Sequence, residues 1–304
     1  MNKDIISAIK EIASEAAVFI NEPMSKHTTF RIGGPAELFV RPDCLEKVVK
    51  IIDLCKKNSI PYQVMGNGSN VLVLDGGIEG VVISLTDNFS RISLDDDIFE
   101  CEAGALLSKI GSEACRHSLA GFEFASGIPG TLGGACIMNA GAYGGEMKDV
   151  LLSVTAMTAD GRIKNFMPDE MDLSYRNSIF MKENMIVLSA RIKLKKGNAQ
   201  DISKLMKDLA ARRRDKQPLE YPSAGSTFKR PEGFFAGKLI MDAGLSGFRV
   251  GDAAVSSKHC GFVVNMGNAT AKDVCELMKQ VSQKVYNRYN VHLEPEVRII
   301  GKSK

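Results

Sequence analysis

The chain has 304 residues, of which 44% are hydrophobic and 25% are charged, and its formal net charge is +3. This composition is typical of a folded globular protein and excludes disordered and collagen-like chains. The weak charge and the absence of Trp argue against a nucleic-acid partner. No apolar run approaches a membrane span, and the N-terminus lacks the apolar segment of a signal peptide. We therefore expect a cytoplasmic protein of about two domains.

The cysteines indicate reduced thiols. There are seven of them, and none forms a C-x-x-C pair. An odd number without this spacing argues against a zinc ribbon, a thioredoxin motif and a disulfide framework. We expect these thiols to be mostly buried, and we expect no metal site.

The first part of the chain is predicted to mix helices with short strands. Apolar residues near a 3.6-residue period predict the helices, and short β-rich runs between glycine turns predict the strands. The order lacks a regular βαβα alternation, which favours an α+β fold over a doubly wound sheet. The predicted elements are helices over 3–19, 45–57 and 106–119, an extended stretch over 27–42, and strands over 62–65, 71–74 and 81–85.

After a glycine-rich stretch at 121–145, the chain returns to regular elements. Asp160-Gly161 is a hairpin signal between two short strands. A boundary near 197–200 predicts modules over 1–198 and 199–304, the first with lobes over about 1–84 and 85–198. The further predicted elements are strands over 152–158, 162–166, 185–195, 261–265 and 296–300 and helices over 201–214, 236–243 and 272–289.

The first glycine cluster, Met65 to Val71, lies between two predicted strands. Glycines allow a positive φ and a close approach of a ligand, and consecutive N–H groups can bind a phosphate oxygen. The alternative is an ordinary tight turn. The cluster does not match the Rossmann fingerprint, and the chain has no Walker A loop. The candidate contacts are Gly66, Asn67, Gly68, Ser69 and Asn70.

The second glycine cluster, Ser126 to Gly134, is long and uncharged. A phosphate bound there would be held by backbone N–H and hydroxyl groups, which suits the diphosphate of a buried dinucleotide. The alternative is close packing of backbone against backbone. Two such loops together favour a large nucleotide cofactor. The candidate contacts are Gly127, Ile128, Pro129, Gly130, Thr131, Gly133 and Gly134.

Seven motifs make the chain recognisable from about residue 20 to residue 301. They are HTTFRIGG (27–34), MGNGSNVLV (65–73), GIPGTLGGACIMNAGAYGGE (127–146), LSYRNSIF (173–180), SAGSTFKRP (223–231), AGKLI (236–240) and LEPEVRIIG (293–301). With them the chain resembles the UDP-N-acetylenolpyruvoylglucosamine reductase family, FAD enzymes of peptidoglycan precursor synthesis. The glycine loops alone are shared with flavoproteins of the vanillyl-alcohol oxidase type.

The resemblance implies a two-lobed FAD-binding module followed by an α+β substrate-binding domain. It implies that NADPH reduces FAD and that flavin N5 passes hydride to an enolpyruvyl ether linked to UDP-N-acetylglucosamine, giving UDP-N-acetylmuramate. No His or Cys marks covalent attachment of the flavin, and no obligate protein partner is evident. Asn139 and Gly141, in the third motif, join the expected FAD contacts.

Three residues are candidates for the chemistry. Hydride addition builds negative charge on the substrate carboxylate, which needs a fixed cation, and the resemblance gives this role to Arg176. It makes Ser226 the proton donor, although a serine hydroxyl is a poor acid unless neighbours polarise it. It makes Glu296 a group that polarises the substrate, on a predicted strand where alternation turns Glu296 and Arg298 to one face.

Each of these residues also has an ordinary structural explanation. Arg176 would form a surface salt bridge, Ser226 would be a turn hydroxyl, and Glu296 would join a cross-strand ion pair. Glu294 is given no catalytic role. Another FAD oxidoreductase of the same superfamily, or a non-enzymatic binding module, would not require all three residues.

Substrate contacts are expected at Tyr175, Lys216 and Arg230, whereas the basic run 212–214 is predicted to be a solvated helix end. The segment 176–200 contains no Tyr, so the chain resembles the shorter subclass that lacks a tyrosine-bearing loop. The role of His259 is left open.

Overall fold

The computed structural model describes all residues, Met1–Lys304. The helices are α1 Lys3–Ala13, α2 Leu45–Lys57, α3 Leu107–Arg116, α4 Leu132–Met138, α5 Ile179–Lys182, α6 Ala199–Lys216, α7 Ala236–Asp242 and α8 Ala271–Tyr289. Short 3₁₀ turns lie at Glu15–Ala17, Met24–Lys26, Met147–Asp149 and Pro168–Glu170. None of the helices combines the length and apolar character that crossing a bilayer requires.

The strands are short and numerous. They are β1 Val18–Pro23, β2 Pro35–Val40, β3 Tyr62–Met65, β4 Val71–Val73, β5 Ile78–Ser84, β6 Ile92–Asp95, β7 Ile98–Glu102, β8 Leu119–Ala120, β9 Gly141–Ala142, β10 Gly145–Glu146, β11 Leu151–Met157, β12 Ile163–Phe166, β13 Ile186–Lys193, β14 Lys195–Lys196, β15 Ser223–Ser226, β16 Arg249–Val250, β17 Ala253–Val255, β18 Phe262–Asn265 and β19 Arg298–Ile300.

Elements with a strong local pattern match the predictions. The helix over 45–57 is confirmed as α2, which buries Val48, Ile52 and Cys55 on one face. The Asp160-Gly161 turn does join an antiparallel pair, β11 and β12. The other five predicted helices are also present, with ends that differ by a few residues.

The structure differs from the predictions at two helices, α1 and α4. The first helix ends at Ala13 rather than at 19, because Ser14 takes a φ of +82° and its N–H donates to Lys10 O as a cap. The chain then continues into β1. The helix α4 was not predicted, because two glycines in its first turn lower helix propensity. One of them, Gly133, lets the helix approach Ala103, where an added Cβ would lie 2.9 Å from the Ala103 Cβ.

The chain forms two compact units, both discontinuous in sequence. Unit 1 contains 1–19, 39–67 and 82–213, and unit 2 contains 20–38, 68–81 and 214–304. The predicted modules, 1–198 and 199–304, differ from these units in two respects. The segments 20–38 and 68–81 belong to unit 2, and most of α6 belongs to unit 1.

Unit 1 is organised around a five-stranded sheet of order β12-β11-β13-β7-β6. All of its neighbouring strands are antiparallel. Two small ribbons, β10-β9 and β14-β8, accompany it. A further sheet of the chain, not confined to unit 1, has strands between residues 18 and 84 in the order β1-β2-β5-β3. These sheets with intervening helices make an α+β arrangement.

Unit 2 contains a four-stranded sheet of order β15-β18-β17-β16 and the long helix α8. Its apolar core includes Phe30 and Leu72 from the two N-terminal segments. The helix is held at its start by Asp75, whose carboxylate accepts the N–H groups of Ala271 and Lys272 at 2.9 and 3.0 Å. Strand β4 pairs in parallel with β19, which fixes the C-terminal end of the chain in this unit.

Candidate functional site

The two glycine clusters meet inside unit 1. Asn67 Nδ2 donates a hydrogen bond to Pro129 O at 3.1 Å. A Cβ at Gly66 would overlap the hydroxyl of Thr131 and lie 3.2 Å from the Thr131 Cβ. Glycine is therefore required at 66 for the loops to approach each other, and residues 66–67 of the first cluster lie against the second cluster.

The second cluster presents accessible backbone. Gly127 and Gly134 are exposed, and nothing stands closer than 3.7 Å to a Cβ built on either. The N–H groups of Ile128, Gly130 and Gly133 already donate to backbone carbonyls of the protein. The fit of this uncharged loop to a diphosphate therefore depends on its two exposed glycines, where the backbone can approach a ligand closely.

Arg213 contacts the second cluster, contrary to the prediction of a solvated helix end. The Arg213 side chain, near the end of α6, donates a hydrogen bond to Gly127 O. Burial lowers the pKa of its guanidinium. The flanking Arg212 and Arg214 are exposed, as predicted. The basic run gave no local signal that its middle residue turns inward, so the sequence could not single it out.

We expect Arg213→Ala to weaken flavin binding about ten- to a hundredfold. The substitution removes a charge-assisted hydrogen bond, which typically contributes about 1.5–3 kcal/mol. Fluorescence titration of the apoprotein with FAD measures the change. The exposed Arg212→Ala is the matched control on the same helix. Equal affinities for the two variants would contradict a role for Arg213 in holding the loop.

The second part of the first cluster belongs to unit 2. Gly68 has a φ of +59°, and a Cβ there would collide with the carbonyl of His27. The side chain of Asn70 donates to Glu296 O at 3.1 Å, and its own carbonyl accepts the N–H of Arg298. Asn70, predicted as a cofactor contact, therefore also fixes the backbone of a candidate catalytic residue.

Arg176 lies in a four-residue turn of unit 1. Ser174 and Asn177 exchange backbone hydrogen bonds across it at 3.2 and 3.1 Å. Arg176 itself has a φ of +53°, at the turn position that Gly or Asn normally takes. Its guanidinium lies over the ring of Tyr175, 5.0 Å from the centroid.

Ser226 ends strand β15 beside a bulge. The strand pairs Ser223 with Val264 and Ser226 with Phe262, so the register shifts between them. Gly225 has a φ of +76° and nothing within 4 Å of a built Cβ. Glycine is therefore needed here for its conformation and not, as expected, for close approach. Bulges of this kind redirect side chains next to functional sites.

The backbone segments that contain Ser226 and Glu296 pair with each other within unit 2. Glu296 N–H donates to Thr227 O at 2.8 Å, and Phe228 forms a β-bridge with Pro295. Both residues are partly exposed. Strand β19 begins only at Arg298, so the predicted strand start at Glu296 is wrong, and Glu296 lies two residues before the strand.

Glu294 is engaged elsewhere in the same unit. Its carboxylate lies 3.2 Å from the Lys229 ammonium in an exposed ion pair. Its carbonyl also accepts the Lys229 N–H. This ion pair gives Glu294 a surface partner, in keeping with the prediction that it has no catalytic role.

His259 lies in the loop before β18, next to Ser226 in the sheet. Its Nδ1 accepts the N–H of Gly261 at 3.1 Å, so Nε2 carries the proton of the neutral ring. The Gly261 carbonyl in turn accepts the N–H of Thr227 at 2.8 Å. The ring packs edge-on against Phe262. Burial lowers the pKa of His259, which keeps the imidazole neutral.

We expect acidification to destabilise the protein partly through His259. Because its folded pKa lies below the unfolded value of about 6.5, the unfolded chain binds a proton first as the pH falls. This contribution to stability is complete above the unfolded pKa and is lost as the pH falls towards the folded one. His259→Gln keeps an acceptor for Gly261 without titrating. Its melting temperature should fall less between about pH 7 and pH 5, and equal slopes would contradict the assignment.

The expected substrate contacts are all accessible. Tyr175 is 53% exposed, and Lys216 and Arg230 are exposed in unit 2. The Arg230 guanidinium lies over the ring of Phe235 at 4.6 Å from the centroid. Between Arg176 and α6 the chain forms only α5, β13 and β14 with short connections.

The cysteines are all free, as expected, and four of the seven are buried. Burial raises the pKa of Cys55 to about 11 and that of Cys101 to about 12. Thiols with such values are protonated and poor nucleophiles at neutral pH.

Two family profiles match the chain. The profile described as FAD binding domain covers residues 36–166. The profile described as UDP-N-acetylenolpyruvoylglucosamine reductase, C-terminal domain, covers residues 217–300. The FAD profile includes both glycine clusters, and the C-terminal profile includes Ser226 and Glu296.

Similar proteins agree with the profiles. The UDP-N-acetylenolpyruvoylglucosamine reductase of Agathobacter rectalis is 51% identical over 99% of both chains. The crystal structure of the Thermus caldophilus UDP-N-acetylenolpyruvylglucosamine reductase superposes with a TM-score of 0.80 at 37% identity, covering 93% of this chain and 98% of that one. An alkyldihydroxyacetonephosphate synthase shares the fold alone, with a TM-score of 0.51 at 13% identity over 64% of this chain and 42% of its own.

Proposed function

This chain belongs to the UDP-N-acetylenolpyruvoylglucosamine reductase family, and we propose that Arg176, Ser226 and Glu296 carry its reaction. The reaction is the FAD-dependent reduction of the enolpyruvyl ether of UDP-N-acetylglucosamine, a step in peptidoglycan precursor synthesis. The observation that carries the assignment of residues is the backbone pairing that holds Ser226 next to Glu296 in unit 2.

The glycine clusters hold the cofactor. Bound FAD supplies a hydride donor, which NADPH regenerates. The paired loops of unit 1 offer uncharged, exposed backbone at Gly127 and Gly134, and the side chain of Asn67 secures them against each other. Gly68, Ser69 and Asn70 continue the first cluster. No charged residue belongs to either cluster, so the diphosphate is balanced by N–H and hydroxyl dipoles.

Arg176 binds the substrate carboxylate. Hydride addition to the methylene carbon places negative charge on this carboxylate, which becomes enolate-like. A guanidinium presents fixed paired donors that match a carboxylate and stabilise the developing charge. The turn that holds Arg176 in a left-handed conformation fixes this cation before the substrate arrives.

Ser226 delivers a proton to the carbon adjacent to the one that received the hydride. The hydroxyl is a weak acid on its own, and Glu296 is held next to it by the pairing of residue 296 with Thr227. Glu296 polarises the substrate at the reacting carbons. The bulge at Gly225 sets the direction of the serine side chain.

Tyr175, Lys216 and Arg230 bind the remainder of the UDP-linked substrate. Arg230 and Lys216 supply positive charge for its diphosphate, and Tyr175 supplies an exposed ring. The seven free thiols suit a reducing compartment, which supports a cytoplasmic location. The short connection after Arg176 supports membership of the subclass without the tyrosine loop.

The anaerobic visible spectrum of the purified protein tests the proposed function. Addition of NADPH should bleach the flavin bands, and addition of the UDP-linked enolpyruvyl sugar should restore them. If the bands return only when air is admitted, the protein binds flavin but the assigned substrate is wrong. If no flavin binds even after reconstitution with FAD, the assignment of both glycine clusters is wrong.

A further inference from the structure

We infer that Asn139 and Ser178 are positioning residues, which hold the turn of Arg176 against the C-terminal end of α4. The inference rests on the proposed function, because it concerns how Arg176 is kept in place to bind the substrate carboxylate. It differs from the expectation that Asn139 contacts the cofactor.

The side chain of Asn139 is fully engaged by the protein. Its Nδ2 donates to Glu146 Oε2 at 2.6 Å and to Ser174 O at 3.2 Å. Its Oδ1 accepts the N–H of Lys148 at 2.9 Å. Because the Lys148 N–H can only donate, the amide must present its oxygen there and its nitrogen to the other two partners. Both N–H bonds are then used, and the side chain is 1% exposed.

One of these bonds reaches the Arg176 turn directly. Ser174 is the first residue of that turn, and its N–H and C=O both pair with Asn177. The carbonyl that closes the turn therefore also accepts from Asn139. Loss of the amide would leave Ser174 held by its two backbone bonds to Asn177 and by the bond that Asn177 Nδ2 donates to its Oγ at 2.9 Å, with no bond to α4.

The other end of the turn is tied to the same helix. Ser178, which directly follows the turn, is fully buried, and its Oγ donates to Ile137 O at 2.7 Å. The same oxygen accepts the N–H of Met181 and so begins α5. Hydrogen bonds therefore connect both ends of this turn, Ser174 and Ser178, to residues 137–139 at the C-terminal end of α4.

These hydrogen bonds explain how Arg176 keeps its left-handed conformation. A non-glycine residue with a φ of +53° is strained, and such strain persists only where the surroundings over-determine it. Helix α4 begins within the second glycine cluster, with Thr131 as its N-cap and Gly133 and Gly134 in its first turn. Helix α4 therefore has the second glycine cluster at its N-terminal end and the hydrogen bonds that hold the Arg176 turn at its C-terminal end.

The test is Asn139→Gly. Asn139 has a φ of +43° as the C-cap of α4, and glycine keeps this conformation while removing the side chain. We expect flavin to remain bound. We expect reoxidation of the reduced flavin by the UDP-linked enolpyruvyl sugar to slow by about ten- to a hundredfold, the usual effect of misplacing a binding group. Reduction by NADPH should change less than about threefold.

The matched control is Asn184→Gly. Asn184 is also in unit 1 with a φ of +48°, and it is exposed. Both half-reactions of this variant should equal those of the unmodified protein. Loss of flavin from Asn139→Gly would instead show a cofactor contact and would overturn the inference.

A double-mutant cycle separates positioning from general structural damage. In an Arg176→Ala background, Asn139→Gly should slow reoxidation less than about twofold further, because its effect acts through the arginine. Additive losses would overturn the inference. If Arg176→Ala alone leaves reoxidation unchanged, the proposed role of Arg176 fails and the inference fails with it. If only Asn139→Gly is without effect, the inference alone fails.

Ser178→Ala provides an independent variant should Asn139→Gly fail to fold. It removes the bond to Ile137 O at the opposite end of the turn. The same pattern is expected, with slowed reoxidation, retained flavin and no further effect in the Arg176→Ala background. Reoxidation at the unmodified rate would overturn the inference.

Discussion

Ser226→Ala is expected to slow turnover by about 10²–10⁴-fold, the usual contribution of a positioned general acid. The flavin should still bind and should still be reduced by NADPH, because Ser226 serves only the protonation of the substrate. Stopped-flow absorbance under anaerobic conditions measures the two half-reactions separately. Reduction by NADPH should be nearly unchanged, while reoxidation by the substrate should become very slow.

Ser223→Ala is the matched control for this variant. It makes the same change three residues earlier on the same strand, before the bulge. Its turnover should stay close to that of the unmodified protein. If Ser226→Ala retains turnover within about tenfold, a barrier change of only ~1.4 kcal/mol, Ser226 is not the proton donor.

Gly66→Ala is expected to weaken flavin binding about ten- to a hundredfold. The added Cβ would overlap the hydroxyl of buried Thr131, so the two glycine clusters must separate. Overpacking of this kind typically costs about 1–3 kcal/mol, which corresponds to that loss of affinity. Titration of the apoprotein with FAD, followed by flavin fluorescence, gives the dissociation constant.

A second substitution tests the cause of this loss. Thr131→Ala removes the hydroxyl that the new Cβ would meet. In the Thr131→Ala background, Gly66→Ala should therefore weaken flavin binding much less than it does in the unmodified chain. Equal losses in the two backgrounds would show that the contact between the clusters is not the reason for glycine at 66.

Much of the fold could be predicted from local pattern. Helix α2 was predicted with its observed bounds because its apolar residues recur at the helical period and its ends are unambiguous. The hairpin at Asp160-Gly161 followed from its turn residues. Helix α4 could not be predicted this way, since glycines at 133 and 134 oppose a helix and its stability comes from packing against residues such as Ala103.

The residues of the candidate site likewise include some that the sequence indicated and others that only the structure revealed. The glycine clusters and the motifs around Arg176, Ser226 and Glu296 indicated the family, which the similar proteins confirm. The inward position of Arg213 and the tethers made by Asn139 were not visible in the sequence. Each depends on a carbonyl supplied by a distant segment, and for Arg213 that carbonyl lies 86 residues away.

The sequence by itself therefore determined the family, the cofactor class and the local elements, because each of these depends on the types and spacing of residues within short segments. Only the tertiary structure decided which segments lie together. The Asn70 side chain meets the Glu296 carbonyl across 226 residues, and the Thr29 hydroxyl meets the Ser223 carbonyl across 194. These contacts exist because polar groups that folding partly withdraws from water gain stability from a partner, and no local spacing encodes which distant segment supplies it.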